Sequence, residues 1–446
     1  MSKFYEIRDP LYGTIRMNEL ERAIIDSEPF QRLRRIKQLS LTNFIYPGAT
    51  HTRFEHSIGV MHLATLMFDA IIQDNENLEL LESYNYISKD EIQRHRQLVR
   101  LAALLHDIGH GPFSHSAEEL FPNKDKNSKY KHEDYSTGII EKFIVDILDT
   151  KSNEFGIKPE QISSLISGNP KKVKKGDSFW RLIISSQLDA DRGDYLLRDS
   201  YYAGVKYGVY DLQRIIESIT IAKNKMEGND DPAIAIREGG WHATESLLLS
   251  RYLMYAQVYF HKTRLAYNHH IQEALKFVLS KETGKKEFPE PTQKNLLKEF
   301  LRWDDYHAWE LFRQSRENCL HCAAIVDRRH FRLVYSTRET YNNSERDIIE
   351  EIKDRLKEKD IDHFTCQTFR ELYKREHGKE IYVVGRKKDE LRPLSEYSPL
   401  VSKLGGIQFS KLSIYVIPEK VEDAKKVVEG VINNAVELTS RHKEKS

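Results

Sequence analysis

Leu101-Ala-Ala-Leu-Leu-His-Asp-Ile-Gly-His-Gly-Pro-Phe-Ser-His115 decides the reading of this chain. An apolar helical run ends in an adjacent His106-Asp107 pair, and His110 and His115 follow across a Gly/Pro turn. A carboxylate ending so apolar a run is costly to bury unless it is paired or bound to a metal. Imidazole beside carboxylate is a nitrogen–oxygen donor set for a divalent cation. His51-Thr-Arg-Phe-Glu-His56 lies upstream and Asp189-Ala-Asp-Arg-Gly-Asp-Tyr195 downstream. Together these stretches imply one buried metal ringed by histidines and arginines, a setting for phosphate chemistry.

The bulk properties narrow the class. The 446 residues allow two or three domains and a large core. A net charge of +1 with 31% charged residues excludes a protein whose main task is coating nucleic acid, so that partner is not expected. No apolar run approaches the roughly 20 residues of a membrane helix, and the start lacks a signal-peptide stretch. Cys319, Cys322 and Cys366 cannot form a closed disulfide framework, so a reducing cytoplasm is expected. Cys319-Leu-His-Cys322 is at most half of a zinc site and reads as two part-buried thiols near a helix end.

The fold class read from pattern is mainly α, followed by a smaller α+β region. Residues 4–16 predict a hairpin around Asp9-Pro-Leu-Tyr-Gly13. Asn18…Glu21, Thr52…Glu55 and Ser88…Glu91 each place a cap residue three before a glutamate, and Ser27-Glu-Pro sets proline in a first turn. Helical spacing runs from Ile58 to Ile72, Leu98 to Leu105, Trp180 to Arg198 and Ser246 to Leu279. Residues 121–131, 168–177 (with the run Pro170-Lys-Lys-Val-Lys-Lys, read as a solvated face) and 281–293 read as loops. Beyond Cys322, Ala323–Tyr335, Ile381–Gly385 and Leu412–Ile417 predict strands, and Ser344–Lys359 and Val421–Leu438 predict helices. The expected division is a helical body over 1–320, with its metal core at about 50–200, and an α+β region over 321–446 serving assembly or regulation.

His56, His106, Asp107 and Asp191 are the expected metal ligands. Two imidazoles and two carboxylates suit Mn, Fe, Zn or Ni, with Mg less at ease beside two nitrogens. A cation there acidifies water for attack on phosphorus. His110, His115 and His132 exceed one closed shell and are placed to bind phosphate oxygens or protonate a leaving oxygen. Glu118, three residues after His115, is placed to orient that ring. One His-Asp dipeptide carries little weight, but several glycine-punctuated histidines flanked by arginine carry much more.

His56…His106-Asp107…Asp191 resembles the H…HD…D signature of the HD-domain metal phosphohydrolases. Phe30-Gln-Arg-Leu-Arg-Arg-Ile-Lys-Gln-Leu39, His51-Thr-Arg-Phe-Glu-His-Ser-Ile-Gly59 and His106-Asp-Ile-Gly-His-Gly-Pro-Phe-Ser-His115 resemble the SAM-and-HD-domain deoxynucleoside triphosphate triphosphohydrolases, in their bacterial-like form without the SAM domain. The resemblance runs from about residue 5 to 275. It implies cleavage of a dNTP at the α-phosphorus into deoxynucleoside and intact triphosphate. It implies His115 as the acid for the 5′-oxygen, with Glu118 where the human-type enzyme has Asp, and His110 and His132 at the α-phosphate. Arg53, Arg192 (Lys in the human-type enzyme) and Arg251 would neutralise the triphosphate. Tyr195 and Asp199 would line the sugar pocket, Gln38 and Leu39 would meet the 3′-hydroxyl and ribose, and Tyr259 would pack on the sugar and reject ribonucleotides.

The resemblance further implies a homotetramer activated by dGTP or GTP between subunits, with additional Mg accompanying the nucleotide. Asp26, Gln31 and Arg34 stand where the family reads guanine, and Arg214 and Arg237 where it binds effector phosphates. The competing expectations are an HD-type phosphodiesterase or 5′-nucleotidase, and a nucleic-acid-binding protein.

Overall fold

Two helices, Arg53–Gln73 and Ile92–Leu105, carry the centre of the fold. The first begins at Arg53 because Thr52 is extended and Glu55 reaches back to accept the Thr52 N–H at 2.8 Å. It buries Ile58, Met61, Leu63, Phe68 and Ile71, while the second buries every residue from Leu98 to Leu105. They pack along each other, and the Ala190–Ala203 helix lies against the first. Gly59 permits that approach: a Cβ there would lie 2.2 Å from Arg198 and from Asp194. The computed structural model describes residues 4–150, 153–169, 174–223, 231–374, 380–385, 391–405 and 408–443. Pro170 to Val173 of the lysine-rich run lie outside the described residues.

The architecture is mainly α with small sheets, as the sequence implies. β1 (Tyr5–Asp9) and β2 (Gly13–Met17) form the expected hairpin, with Gly13 at φ +75°. A second sheet has the order β3 (Ile219–Lys223), β4 (Pro232–Arg237), β7 (Tyr382–Val384) and β8 (Leu391–Pro393). β4 pairs in parallel with β7, so a hairpin of the helical body shares a sheet with the C-terminal region. The third sheet sets β9 (Gln408–Val416) between β5 (Arg332–Ser336) and β6 (His363–Glu371). The Asn343–Glu358 and Val421–Lys443 helices cover it over a core including Ile349, Ile352, Leu356, Ile414, Val427 and Val431. Among the described residues no helix is long and apolar enough to cross a membrane.

Several sequence readings need correction. The Trp180–Arg198 span is not one helix. Arg181–Ile184 closes at Ser185, and a new helix starts at Ala190 because extended Asp189 caps it, accepting from Arg192 N at 2.8 Å and from Ser186 N at 2.8 Å. The Ser246–Leu279 span breaks at Phe260–His261. Trp241–Met254 runs into a π turn, Tyr255–Tyr259, and His261 caps the Lys262–Thr283 helix. Leu320–Val326 is a helix rather than the start of a strand, since Cys319 caps it by accepting from Cys322 N. Ser88 opens a short 3-10 turn, and the helix proper begins at Ile92. The hairpin β3–β4 and the strand β6 escape the sequence reading.

Candidate metal centre and substrate cavity

His106 follows the last residue of the Ile92–Leu105 helix, and its Nδ1 donates to the Ala103 carbonyl at 2.8 Å. That bond fixes the tautomer and leaves the Nε2 lone pair free to bind a cation. His56, one turn into its own helix, has Nδ1 2.8 Å from Asp194 Oδ2, which likewise frees Nε2. Both Nε2 atoms are buried without hydrogen-bond partners. His56 Nε2 lies 3.5 Å from Asp107 and 3.2 Å from Asp191, and His106 Nε2 lies 3.3 and 3.8 Å from the same two carboxylates. His56, His106 and Asp107 therefore gather ligand atoms around one point, and Asp191, from the Ala190–Ala203 helix, approaches the two imidazole nitrogens of that group.

The electrostatics call for positive charge at that point. Burial disfavours a charged His56, yet Asp191, Asp194 and Asp107 push it up to about 10. His106 is raised by Asp107 and Asp191 against the same penalty. Burial alone would raise Asp107, but Arg53 and the histidines hold it well below the usual carboxylate range. Two imidazole nitrogens and two carboxylates fit a divalent cation. Asp194 is in turn gripped by both arms of Arg198 at 2.8 Å, and Arg198 also meets Asp9 of the hairpin at 2.8 Å. This buried ladder is the outer support that orients a metal-ligating histidine.

A second group adjoins the first. Gly109 lets the His132–Ile139 helix approach, since a Cβ there would lie 2.3 Å from the His132 carbonyl. His110 stacks on His132 with centroids 4.0 Å apart. Glu118 Oε1 lies 2.9 Å from His115 Nδ1 and 2.8 Å from His132 Nδ1, so Glu118 contacts His115 as its spacing suggested. Burial opposes charge on His132, but Glu118 pushes it up to about 9. His110 is driven the other way by burial, Arg53 and His132, and stays neutral, its Nε2 3.2 Å from Asp107 Oδ1 and its Nδ1 3.7 Å from Glu118 Oε1.

The loop between these groups is pinned from afar. Phe113 and Ser114 both adopt φ +58°, an uncommon backbone for such residues. Asp305 holds them in place, accepting from Phe113 N at 2.6 Å and from Lys37 N at 2.9 Å. Burial pushes the Asp305 carboxyl up to about 6 despite those donors. Ser114 accepts from Arg53 Nε at 2.9 Å, and Arg53 also pairs with Asp107.

A cavity of about 440 Å³ opens on the cluster. It brings together Gln38, Leu39, Arg53, His106, Asp107, His110, His115, His132, Asp191, Arg192, Tyr195, Asp199 and Tyr259 from the sequence reading. Asp199 is held by His51 at 2.7 Å and by the Tyr259 hydroxyl at 2.7 Å. Arg251 is buried beside the cavity, near Tyr195 and Arg192. Sequence reasoning missed Asp194, Arg198, His51, Arg264 and Arg370. Asp194 and Arg198 were legible as the next positions on the Asp191 helix face, whereas Arg370 arrives on β6 and has no local signal.

The five effector candidates lie outside this cavity. Arg34 donates to Gln31 at 2.9 Å, Gln31 to the Ile25 carbonyl at 2.7 Å, and Asp26 pairs with Arg22 at 3.2 Å. Arg214 donates twice to the Gly239 carbonyl at 3.1 and 2.9 Å, and Arg237 pairs with Asp74 at the edge of a larger cleft of about 1180 Å³. Among the described residues no hydrogen bond or ion pair joins the two groups.

Fold and donor set together are those of a metal-dependent phosphohydrolase. The chain belongs to the HD-domain family: the HD domain model matches residues 53–177, and the HD associated region matches residues 210–445. An uncharacterized protein of Methanocaldococcus jannaschii is 35% identical over 94% of this chain and 80% of its own length. A deoxynucleoside triphosphate triphosphohydrolase SAMHD1 homolog of Dictyostelium discoideum is 35% identical over 57% of this chain, which spans 46% of that protein. A crystal structure of a hypothetical protein from Aquifex aeolicus matches with a TM-score of 0.74 and 32% identity, over 96% of this chain and all of that one. A phosphohydrolase from Bacteroides thetaiotaomicron matches at 0.68 and 25% identity, over 93% of this chain and all of that one.

Proposed function

We propose that this protein hydrolyses deoxynucleoside triphosphates to deoxynucleoside and inorganic triphosphate. The observation that carries the reading is that Arg53 and Arg192 line the cavity that holds the His/Asp cluster, with Arg251 buried beside it near both Arg192 and Tyr195. A monophosphate or diester does not need that many guanidiniums, each suited to paired contacts with phosphate oxygens. The names of the Dictyostelium and mouse relatives, both deoxynucleoside triphosphate triphosphohydrolases, support the same substrate.

His56, His106, Asp107 and Asp191 would hold the cation, Mn, Fe, Zn, Ni or Mg in this reading. Once bound it supplies Lewis-acid polarisation of a phosphoryl group and acidification of water. The chain's own groups do the rest. His110, neutral and lining the cavity beside Asp107, donates to an α-phosphate oxygen, and charged His132 faces the same phosphate. Water adds to the α-phosphorus as the bond to O5′ breaks, one water proton passing to bulk solvent, from which His115 regains the proton it gives to O5′. His115, its Nδ1 turned to Glu118, protonates O5′ from its other nitrogen, and the triphosphate leaves between Arg53, Arg192 and Arg251. Asp199, held by His51 and Tyr259, receives the sugar beside Tyr195, Gln38 and Leu39.

The same reading takes the chain as a cytoplasmic homotetramer, with dGTP or GTP bound between subunits by Asp26, Gln31 and Arg34 from one side and Arg214 and Arg237 from another. The body over 1–320 then does the chemistry, and the region over 321–446 supports assembly. The test is anion-exchange analysis of products from each dNTP with Mn or Mg, alone and with dGTP added. Intact triphosphate plus deoxynucleoside is expected, faster with dGTP. Release of phosphate or pyrophosphate alone overturns the reaction, and equal rates with and without dGTP overturn the effector.

A further inference from the structure

Arg370 belongs to the C-terminal sheet, yet it lines the cavity that holds the His/Asp cluster. Its guanidinium lies 4.9 Å from the centroid of the Tyr255 ring, and the Arg251 guanidinium lies 5.9 Å from the same centroid. The Nε atoms of both arginines are shut off from solvent and have no hydrogen-bond partner. Among the described residues neither arginine forms an ion pair, whereas Arg192 is already paired with Asp189. Two like charges thus share one aromatic ring with no carboxylate between them, which is unfavourable until an anion joins them.

The arrangement is fixed rather than adventitious. Phe409, opposite Arg370 in the β6–β9 register, packs on Phe260 at 5.1 Å. Just past the strand, Arg251 donates to the Leu372 carbonyl at 3.2 Å. Gln187 exchanges two hydrogen bonds of 2.9 Å with the Lys374 backbone. The C-terminal sheet is therefore tied to the metal-bearing body on both sides of the cavity. The cavity wall that carries Asp107, Asp191 and Tyr195 at the His/Asp cluster also carries Tyr255 and Arg370. An extended polyanion with its reacting phosphorus at the His/Asp cluster would present its far end to Arg370.

We propose that Arg370 is a substrate-binding residue that clamps, with Arg251, the terminal phosphate of a nucleoside triphosphate and so sets the preference for triphosphates over shorter phosphates. The proposal rests on the phosphohydrolase reading of the cavity and adds a determinant from the HD associated region.

The experiment compares wild type with Arg370→Ala, Arg370→Gln and Arg370→Lys, all metal-loaded. Calorimetry measures binding of inorganic triphosphate, pyrophosphate and phosphate, and kinetics compares deoxynucleoside tri-, di- and monophosphates. A charge-assisted hydrogen bond predicts a loss of about 10- to 100-fold in triphosphate affinity for the Ala and Gln variants. Pyrophosphate and phosphate should change by less than about threefold, and Lys should restore part of the loss. Equal losses for all three anions, or none, overturn the proposal, because a merely structural role would not sort ligands by length. A wild type that binds triphosphate no more tightly than phosphate also overturns it. Should wild type bind triphosphate tightly but release no triphosphate from any dNTP, the reaction of the previous section fails. A selective loss in Arg370→Ala would then still uphold the clamp.

Discussion

His56 Nδ1 lies 2.8 Å from Asp194 Oδ2, a contact that leaves the opposite ring nitrogen facing Asp107 and Asp191. Asp194→Asn keeps the volume but removes the charge that orients and enriches the ring. Such outer-shell losses cost about 10- to 100-fold in metal affinity. Titrating metal-free protein with Mn(II) or Zn(II) checks this, and unchanged affinity would show that Asp194 serves only its pair with Arg198.

Asp107 and His115 separate ligation from proton transfer. Asp107→Ala should remove both bound metal and turnover. His115→Ala should retain metal, measured by elemental analysis, while turnover falls by about 10²- to 10⁴-fold, the usual worth of a positioned acid. Loss of metal in the His115 variant would place that ring in the ligand set instead.

The Glu118–His132 contact predicts a pH window. His132 is raised in the folded protein to about 9, so its share of stability is complete below its unfolded value of about 6.5 and fades as pH rises through 9. Burial would raise Glu118, but His115 and His132 hold it below the carboxylate range. Its share is therefore present above about pH 4.3 and fades as pH falls through the depressed value. Both statements describe largely one interaction and are not summed. The Tm gap between wild type and Glu118→Gln should be widest between about pH 5 and 6.5, shrink steadily as pH rises toward 9 and close toward pH 10. A gap that is constant from pH 5 to 10 would refute the ion pair.

Much of this arrangement was legible in the sequence because it is local. His106-Asp107 ends an apolar helix, and Thr52…Glu55 marks the start of the helix bearing His56. The breaks at Ser185–Asp189 and Phe260–His261 were not legible, since apolar spacing continues through both and the interruption comes from capping by Asp189 and His261. Strand β6 and Arg370 were invisible for a different reason. Their placement depends on pairing with β9 and on anchors more than a hundred residues away, such as Arg251 and Gln187. The same holds for Asp305, whose contacts reach back to Phe113 and Lys37.

Asp305 yields the next prediction. Asp305→Ala leaves the buried Phe113 N–H unsatisfied, at about 1–3 kcal/mol, and frees the part-buried Lys37 N–H at a smaller cost. It also releases the left-handed Phe113–Ser114 turn that seats Arg53 against Asp107. Thermal unfolding should show the destabilisation, and kcat should fall even at temperatures where the variant stays folded. Full activity in a folded Asp305→Ala protein would show that the loop holds its shape without the clamp.

Tyr259 donates to Asp199 at 2.7 Å and so joins the cavity wall to His51 across one carboxylate. Two substitutions divide its roles. Tyr259→Phe keeps the ring and deletes one hydrogen bond, which predicts a rise of about fivefold in KM from a net value near 1 kcal/mol. Tyr259→Ala removes the ring that would meet a 2′-hydroxyl, so discrimination between dATP and ATP, read as the ratio of their kcat/KM values, should collapse toward unity. Undiminished discrimination in Tyr259→Ala would move the steric filter to another wall, where Tyr255 and Tyr195 are the neighbouring rings at 5.0 and 6.2 Å.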